Sequence, residues 1–244
     1  MIHINRKPYP YMEEINLAVV NLFPETTKHE KVLDVGCGRA ALTAVLKEKG
    51  YLTCGIENNQ DACDVASSRL DELIQEDLTA YTKIAENLVG KTFDYIIFAD
   101  VLEHTYDPRT ILEFYSKFLN IGGQIVISVP NGAVWLNRLN YLAGRIEYTN
   151  TGTMDRTHIR FFTFRTTIRL LKSIGFVPAV QSFTPFISRS VLPLLKRTSK
   201  IHTDIITSKK YRVYKKYILP VEMFITSLCP QLLGFQIVIK AKKI

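Results

Sequence analysis

Two short runs hold the residues whose types and spacing could do chemistry. The first is Val32-Leu33-Asp34-Val35-Gly36-Cys37-Gly38. A glycine-rich turn between a strand and a helix suits a nucleotide-type ligand. Glycine lets the backbone approach closely, and the helix N-terminus presents unpaired N–H groups. Asp34 beside the turn favours a cationic ligand and disfavours a pyrophosphate by charge repulsion. Glu57 stands 19 residues after Gly38 at a strand end, where a carboxylate can accept both hydroxyls of a ribose. Asp77 follows a third strand; it can take an adenine amino group while Leu78 covers the ring. The run Gly36-Cys37-Gly38-Arg39-Ala40-Ala41 also satisfies a looser dinucleotide fingerprint, so spacing alone leaves a dehydrogenase open. The second run is Asp100-Val101-Leu102-Glu103-His104. On a helical turn Asp100, Glu103 and His104 fall at i, i+3 and i+4, on one face. Another histidine, His158, lies far along, in Asp155-Arg156-Thr157-His158-Ile159-Arg160-Phe161-Phe162-Thr163.

The elements that must position these residues follow from periodicity. Lys31–Val35 is short, β-branched and stopped by Gly36, which predicts a buried strand. Helical spacing over 40–49 ends at Gly50. A strand over 52–56 leads to Glu57, a helix spans 61–70, and a strand covers 72–75. The apolar run Phe93–Phe98 suits a strand buried on both faces. Asp107 as N-cap and Pro108 at the first helical position start a helix with Ile111, Leu112, Tyr115, Phe118 and Leu119 on one stripe. Gly122-Gly123 ends it, and a fifth strand covers 124–129. A helix from Thr163 to Gly175 precedes a sixth strand from Gly175, and Gly234–Ile239 is the seventh. The alternation predicts an α/β fold with a mostly parallel sheet covered by helices on both faces. The last two strands are expected as an antiparallel edge pair, with residues 184–233 as a helical insertion before the last strand, all within one domain over 1–244.

These pieces resemble the core of a class I S-adenosylmethionine-dependent methyltransferase, whose fold is Rossmann-like with seven strands. The resemblance rests on Val32–Gly38, Gly55-Ile56-Glu57, Gln75–Leu78, Phe93–His104, the Leu119–Gly123 turn and Val129-Pro130-Asn131, and covers about residues 30–182. It implies that Asp34, Gly36 and Gly38 hold the methionine end of S-adenosylmethionine. It places Glu57 on the ribose, Asn58, Asp77 and Leu78 around the adenosine, and Ala99 and Asp100 near the sulfonium. The competing reading makes these acids helix caps and strand-end polars. Ala40 stands where the family often has a third glycine, and is expected to be tolerated. The Asp100–His104 run with a later histidine is similar to the divalent-metal element of ubiquinone-pathway and small-RNA 2′-O-methyltransferases, although Asp100 replaces the usual Glu. Three roles stay open. Asp100, Glu103, His104 and His158 could hold a metal ion that lowers an acceptor hydroxyl's pKa; His104 could be a metal-free general base, with His158 beside it; or Glu103 and His104 could cap the turn. The 155–163 string also resembles methyltransferases of surface-glycan gene clusters. The bland alternative is a lid anchor with two aromatics in the core and two solvated arginines.

Composition bounds the rest. The 244-residue chain is 47% hydrophobic and 22% charged, which excludes a disordered or fibrous protein. Its four cysteines form no C-x-x-C pair, and the first residues show no apolar leader, so a reducing, cytoplasmic setting is expected. The net charge of +8 is concentrated after residue 188, where twelve Lys and Arg face only Asp204 and Glu222. That excess reads as a solvated basic face or as contact with a polyanion. Tyr217–Ile239 is long enough to span a bilayer, but Pro220, Pro230 and Gly234 break it and the seventh strand needs its end. The 184–233 stretch is therefore expected either to cap the acceptor pocket, basic outside and apolar inside, or to dock peripherally on the inner face of an anionic membrane. The expected reaction is O-methylation. A sugar hydroxyl on a glycan or lipid-linked precursor leads, a phenolic quinone precursor is second, and an RNA ribose is third. A non-catalytic cofactor-binding module is the contrasting class.

Overall fold

The computed structural model describes residues 15–185 and 213–244. In chain order the elements are α1 (Leu17–Val20), β1 (Lys31–Val35), α2 (Ala41–Glu48), β2 (Leu52–Glu57), α3 (Gln60–Ala66), β3 (Glu72–Gln75), α4 (Tyr81–Asn87) and β4 (Phe93–Ala99). They continue with α5 (Pro108–Tyr115), β5 (Leu119–Pro130), α6 (Trp135–Leu142), α7 (Phe164–Ser173) and β6 (Phe176–Pro185). After a π-helical turn (Tyr214–Ile218) come α8 (Leu219–Leu228), α9 (Pro230–Leu233) and β7 (Gly234–Lys243).

The seven strands lie in the order β3-β2-β1-β4-β5-β7-β6. All pair in parallel except β7, which is antiparallel to both β5 and β6. The predicted antiparallel pair is present, but only β6 lies at the edge. β7 sits inside the sheet, which explains why Ile237, Val238 and Ile239 are fully buried. Successive residues of each strand feed opposite faces. Val32, Ile97, Val126 and Val238 meet Val19, Phe23 and Leu46 from the α1 and α2 side. Leu33, Ile96, Ile125 and Ile237 meet Ile84, Ile111, Leu112, Tyr115 and Leu171 from α4, α5 and α7.

Local signals account for most boundaries. The Asp107 carboxylate accepts from the N–H groups of Arg109 and Thr110, with Pro108 at the first helical position of α5. Thr163 and Thr166 form a reciprocal capping box at α7. Two expectations are corrected. The fifth helix does not run to Gly122: it stops at Tyr115, a 3₁₀ turn takes 116–118, and β5 begins at Leu119, paired with Phe93 before a register shift. The helix expected over 61–70 ends at Ala66. Helices α1, α4 and α6 go beyond the elements that periodicity marks. α4 buries only Ile84 and has no side-chain cap, and α6 buries only Asn137, so neither buries an apolar stripe. Of the predicted insertion, 184–185 close β6, 186–212 lie outside the described residues, and the rest is helical up to Gly234.

Candidate active site

The first predicted site forms where β1, β2 and β3 end. Gly36 and Gly38 both have left-handed backbone, at φ +74° and +54°. A Cβ on Gly36 would also sit 2.8 Å from Val101 Cγ2. The N–H groups of Gly36 and Cys37 donate to the Ile56 carbonyl, which ties the turn to β2. Ala40 shares the left-handed conformation at φ +57° and is fully buried. That conformation is the physical reason glycine suits the position; alanine adopts it at a cost of about 1–2 kcal/mol.

Glu57 is buried and holds three backbone donors. Its Oε2 accepts from Gly38 N at 2.9 Å, and its Oε1 from Asn58 N and Asn59 N at 2.9 Å each. The carboxylate thus fixes the glycine turn to the end of β2. Asp77 accepts from the Thr79 N–H and hydroxyl, and these bonds, with one from Asn58, hold its carboxyl below the usual range. Leu78 is half-buried, and its carbonyl accepts from the Tyr115 hydroxyl. Asp34 differs from these acids. It is 2% exposed, with one oxygen bonded to Thr43 Oγ1 and Oδ1 without a protein partner among the described residues. Burial pushes its carboxyl up to about 6, against the opposing bond from Thr43.

The second site forms at the end of β4, beyond Ala99. Asp100 has φ +56°, so the chain turns before the short 3₁₀ helix Leu102–His104 begins. The predicted single helical face is therefore broken. The Asp100 carboxylate accepts from Gln236 Nε2 at 2.8 Å through both oxygens and from Ser128 Oγ at 3.2 Å. Glu103, His104 and His158 come together without it, their ligand atoms all within 4.8 Å of one another. Asp100, expected among the metal ligands, stands outside this group of three, and its negative charge raises the Glu103 carboxyl.

The two histidines are far apart in the chain, yet their rings lie 4.9 Å apart between centroids, at 66°. Thr157 brings its carbonyl to His104 Nδ1 at 3.1 Å, and Thr153 brings its carbonyl to His158 Nδ1 at 3.4 Å. A carbonyl only accepts, so each Nδ1 donates to it, which leaves Nε2 as the other ring nitrogen. Burial, then the neighbouring His104, lowers the His158 pKa, which keeps that ring neutral. Backbone bonds from Ile159 N and Arg160 N to the Glu103 carbonyl clamp the two segments together. Glu103 itself is 1% exposed, and neither carboxylate oxygen has a hydrogen-bond partner among the described residues. Desolvation, then Asp100, raises its carboxyl well above the usual range. Two imidazoles beside an orphaned buried carboxylate fit a divalent cation.

Beside this cluster opens a groove lined by Tyr106, Asp107, Arg109, Arg160, Phe161 and Thr166, among others. Arg160 donates to the Tyr106 carbonyl, joining its two walls. Phe162 is buried but Phe161 is exposed, so only one of the two expected aromatics enters the core. Sequence reasoning missed Gln236, Ser128 and Asn16, which form one buried network behind Asp100. A glutamine in the otherwise apolar run Phe235–Ile239 was the available signal.

A seven-stranded sheet with β7 antiparallel, a glycine turn after β1 and acids ending β2 and β3 define the S-adenosylmethionine-dependent methyltransferase fold. A family model described as a methyltransferase domain matches residues 7–180, and the chain belongs to that family. A methyltransferase structure from Archaeoglobus fulgidus, dependent on the same cofactor, superposes with a TM-score of 0.59 at 22% identity, over 93% of this chain and 91% of that one. A ubiquinone biosynthesis O-methyltransferase of Idiomarina loihiensis is 32% identical over 136 residues, covering 53% of this chain and 55% of that protein. One from Pseudomonas aeruginosa is 29% identical over 127 residues, covering 49% and 53%. The chain spans about half the length of the curated relatives it matches.

Proposed function

We propose that the protein transfers a methyl group from S-adenosylmethionine to a hydroxyl oxygen, with a sugar hydroxyl on a glycan or lipid-linked precursor as acceptor. The observation that carries the oxygen assignment is the pair of histidines packed beside Glu103, just beyond the end of β4. When bound, the cofactor supplies an electrophilic methyl on a sulfonium. Glu57 accepts ribose hydroxyls, and Asp77 and Leu78 hold the adenine edge and face. Orientation by such a cradle can supply roughly 7–11 kcal/mol of the barrier. The acceptor oxygen would take the methyl group, and with no ion in the cluster His104 Nε2 would take the hydroxyl proton. Glu103, His104 and His158 would hold a divalent ion, which would lower the acceptor hydroxyl's pKa. Two imidazoles favour manganese, zinc or iron over magnesium.

The sugar assignment is supported by the adjacent groove. Exposed Tyr106 and Phe161 offer flat apolar faces, while Asp107, Arg109 and Arg160 offer acceptors and donors to a ring of hydroxyls. A phenolic acceptor is the second reading, favoured by the names of the relatives.

The test is an acceptor screen with methyl-labelled cofactor, run with and without a chelator. The expected product carries label as an ether on a sugar hydroxyl. Label on a phenol selects the second reading. Cofactor binding with no turnover on any acceptor would leave a binding module. Turnover unchanged by chelation would assign proton removal to His104 without a metal.

A further inference from the structure

Helix α8 is built inside out. Val221, Phe224, Ile225 and Leu228 are exposed, at 57%, 66%, 49% and 70%. Their spacing is i, i+3, i+4 and i+7, the stripe that normally faces a core. The side turned inward carries Glu222 and Thr226, both buried, where the helix packs beside β6. The stripe continues backward through exposed Tyr217 and Ile218. Of the two readings left open for 184–233, cap or membrane dock, an apolar face turned outward favours the dock. A contiguous apolar face of this kind marks an interaction surface.

We propose that this face of α8 docks on an anionic lipid surface. Charge selects the occupant. The sequence places Lys209, Lys210, Arg212, Lys215 and Lys216 immediately before the helix, and residues after 188 carry a net charge of +10. Cations close in sequence to an exposed apolar stripe match the headgroups and acyl boundary of an anionic bilayer. A second copy of this chain would bring like charge against like charge. Lys216 lies 5.1 Å from the Tyr217 ring, pairing a cation with an amphipathic aromatic at the edge of the stripe. The ten residues of α8 extend about 15 Å, half of a hydrocarbon core, so the helix lies in the interface. Among the described residues no helix is long and apolar enough to cross a membrane. No residue of the docking face belongs to the candidate active site, and its test requires no turnover.

The experiment is co-sedimentation of the full chain with phosphatidylcholine vesicles, with and without phosphatidylglycerol. Association is expected only with phosphatidylglycerol and should weaken with salt. The F224S and L228S substitutions should each weaken partitioning about tenfold, since each removes buried apolar area. Both positions point outward, so circular dichroism and melting should match the wild type. F224W should add fluorescence that brominated lipid quenches beyond that of wild type. Absence from both vesicle types at low salt would overturn the proposal. So would partitioning of F224S/L228S equal to wild type. A lipid-free dimer by ultracentrifugation that F224S/L228S dissociates would assign the face to a second copy instead.

Discussion

The cradle at the ends of β1 to β3 and the cluster beyond β4 are built by different means. In the cradle, carboxylates are occupied by nearby backbone: Glu57 holds Gly38, Asn58 and Asn59, and Asp77 holds Thr79. These contacts fix the loop before any ligand arrives. In the cluster, Glu103 has no such partner among the described residues, and His158 comes from a segment remote from His104 in the chain. Its acid is left with lone pairs directed into a buried space. The difference teaches a division of labour. Satisfied acids hold a shape, whereas an orphaned one retains a demand for a proton or a cation.

The sharpest way to break this contrast is Glu57→Ala. It removes the proposed acceptor for the ribose hydroxyls and also orphans three backbone N–H groups of the loop. Two charge-assisted bonds at roughly 1.5–3 kcal/mol each predict a loss of about 3–6 kcal/mol in binding of the demethylated cofactor. Calorimetry checks it; unchanged affinity would show that the cradle does not contact the ribose.

Asp34 is the cradle acid that behaves like the cluster, and Asp34→Asn tests it. In the folded chain this carboxyl keeps its proton up to about pH 6, but the unfolded chain releases it near 3.8. Its stabilising contribution is therefore full below about pH 4 and is lost as pH rises through 6. A neutral amide at this position accepts the Thr43 bond without that cost. The variant should gain on the wild type by roughly 3 kcal/mol between pH 4 and 8. Urea melts at the two pH values measure it, and parallel pH profiles would refute it.

The smallest effect belongs to the frame beside the cluster. Thr163→Ala removes the capping box of α7, directly after the His158 segment. About 1 kcal/mol of stability should be lost, with cofactor affinity unchanged. Thermal melts and calorimetry together check that separation.

The cradle was readable because its parts are local. A β-branched run ending in Gly36-Cys37-Gly38 dictates a strand and a left-handed turn, and the spacing from Gly38 to Glu57 dictates which strand end meets it. The helix that starts at Asp107 was equally legible, because cap, proline and stripe agree. The end of that helix was not. Gly122-Gly123 signals a stop, but β4 pairing recruits Leu119 into a strand first, and strand pairing is a long-range contact.

Sequence alone determined the residue inventory of the second site and the alternation that makes the sheet. Only the tertiary structure decided how that inventory is used. The positive φ of Asp100 removes it from the face that helical spacing predicted, and Gln236 on β7 captures its carboxylate. His158 reaches His104 because Ile159 and Arg160 bond to the Glu103 carbonyl, a contact with no periodic trace. The orientation of α8 was likewise hidden: its sequence shows an apolar stripe, but which side of a helix meets the sheet depends on the partner surface. Periodicity sets which residues share a face, and packing across the fold sets where that face points.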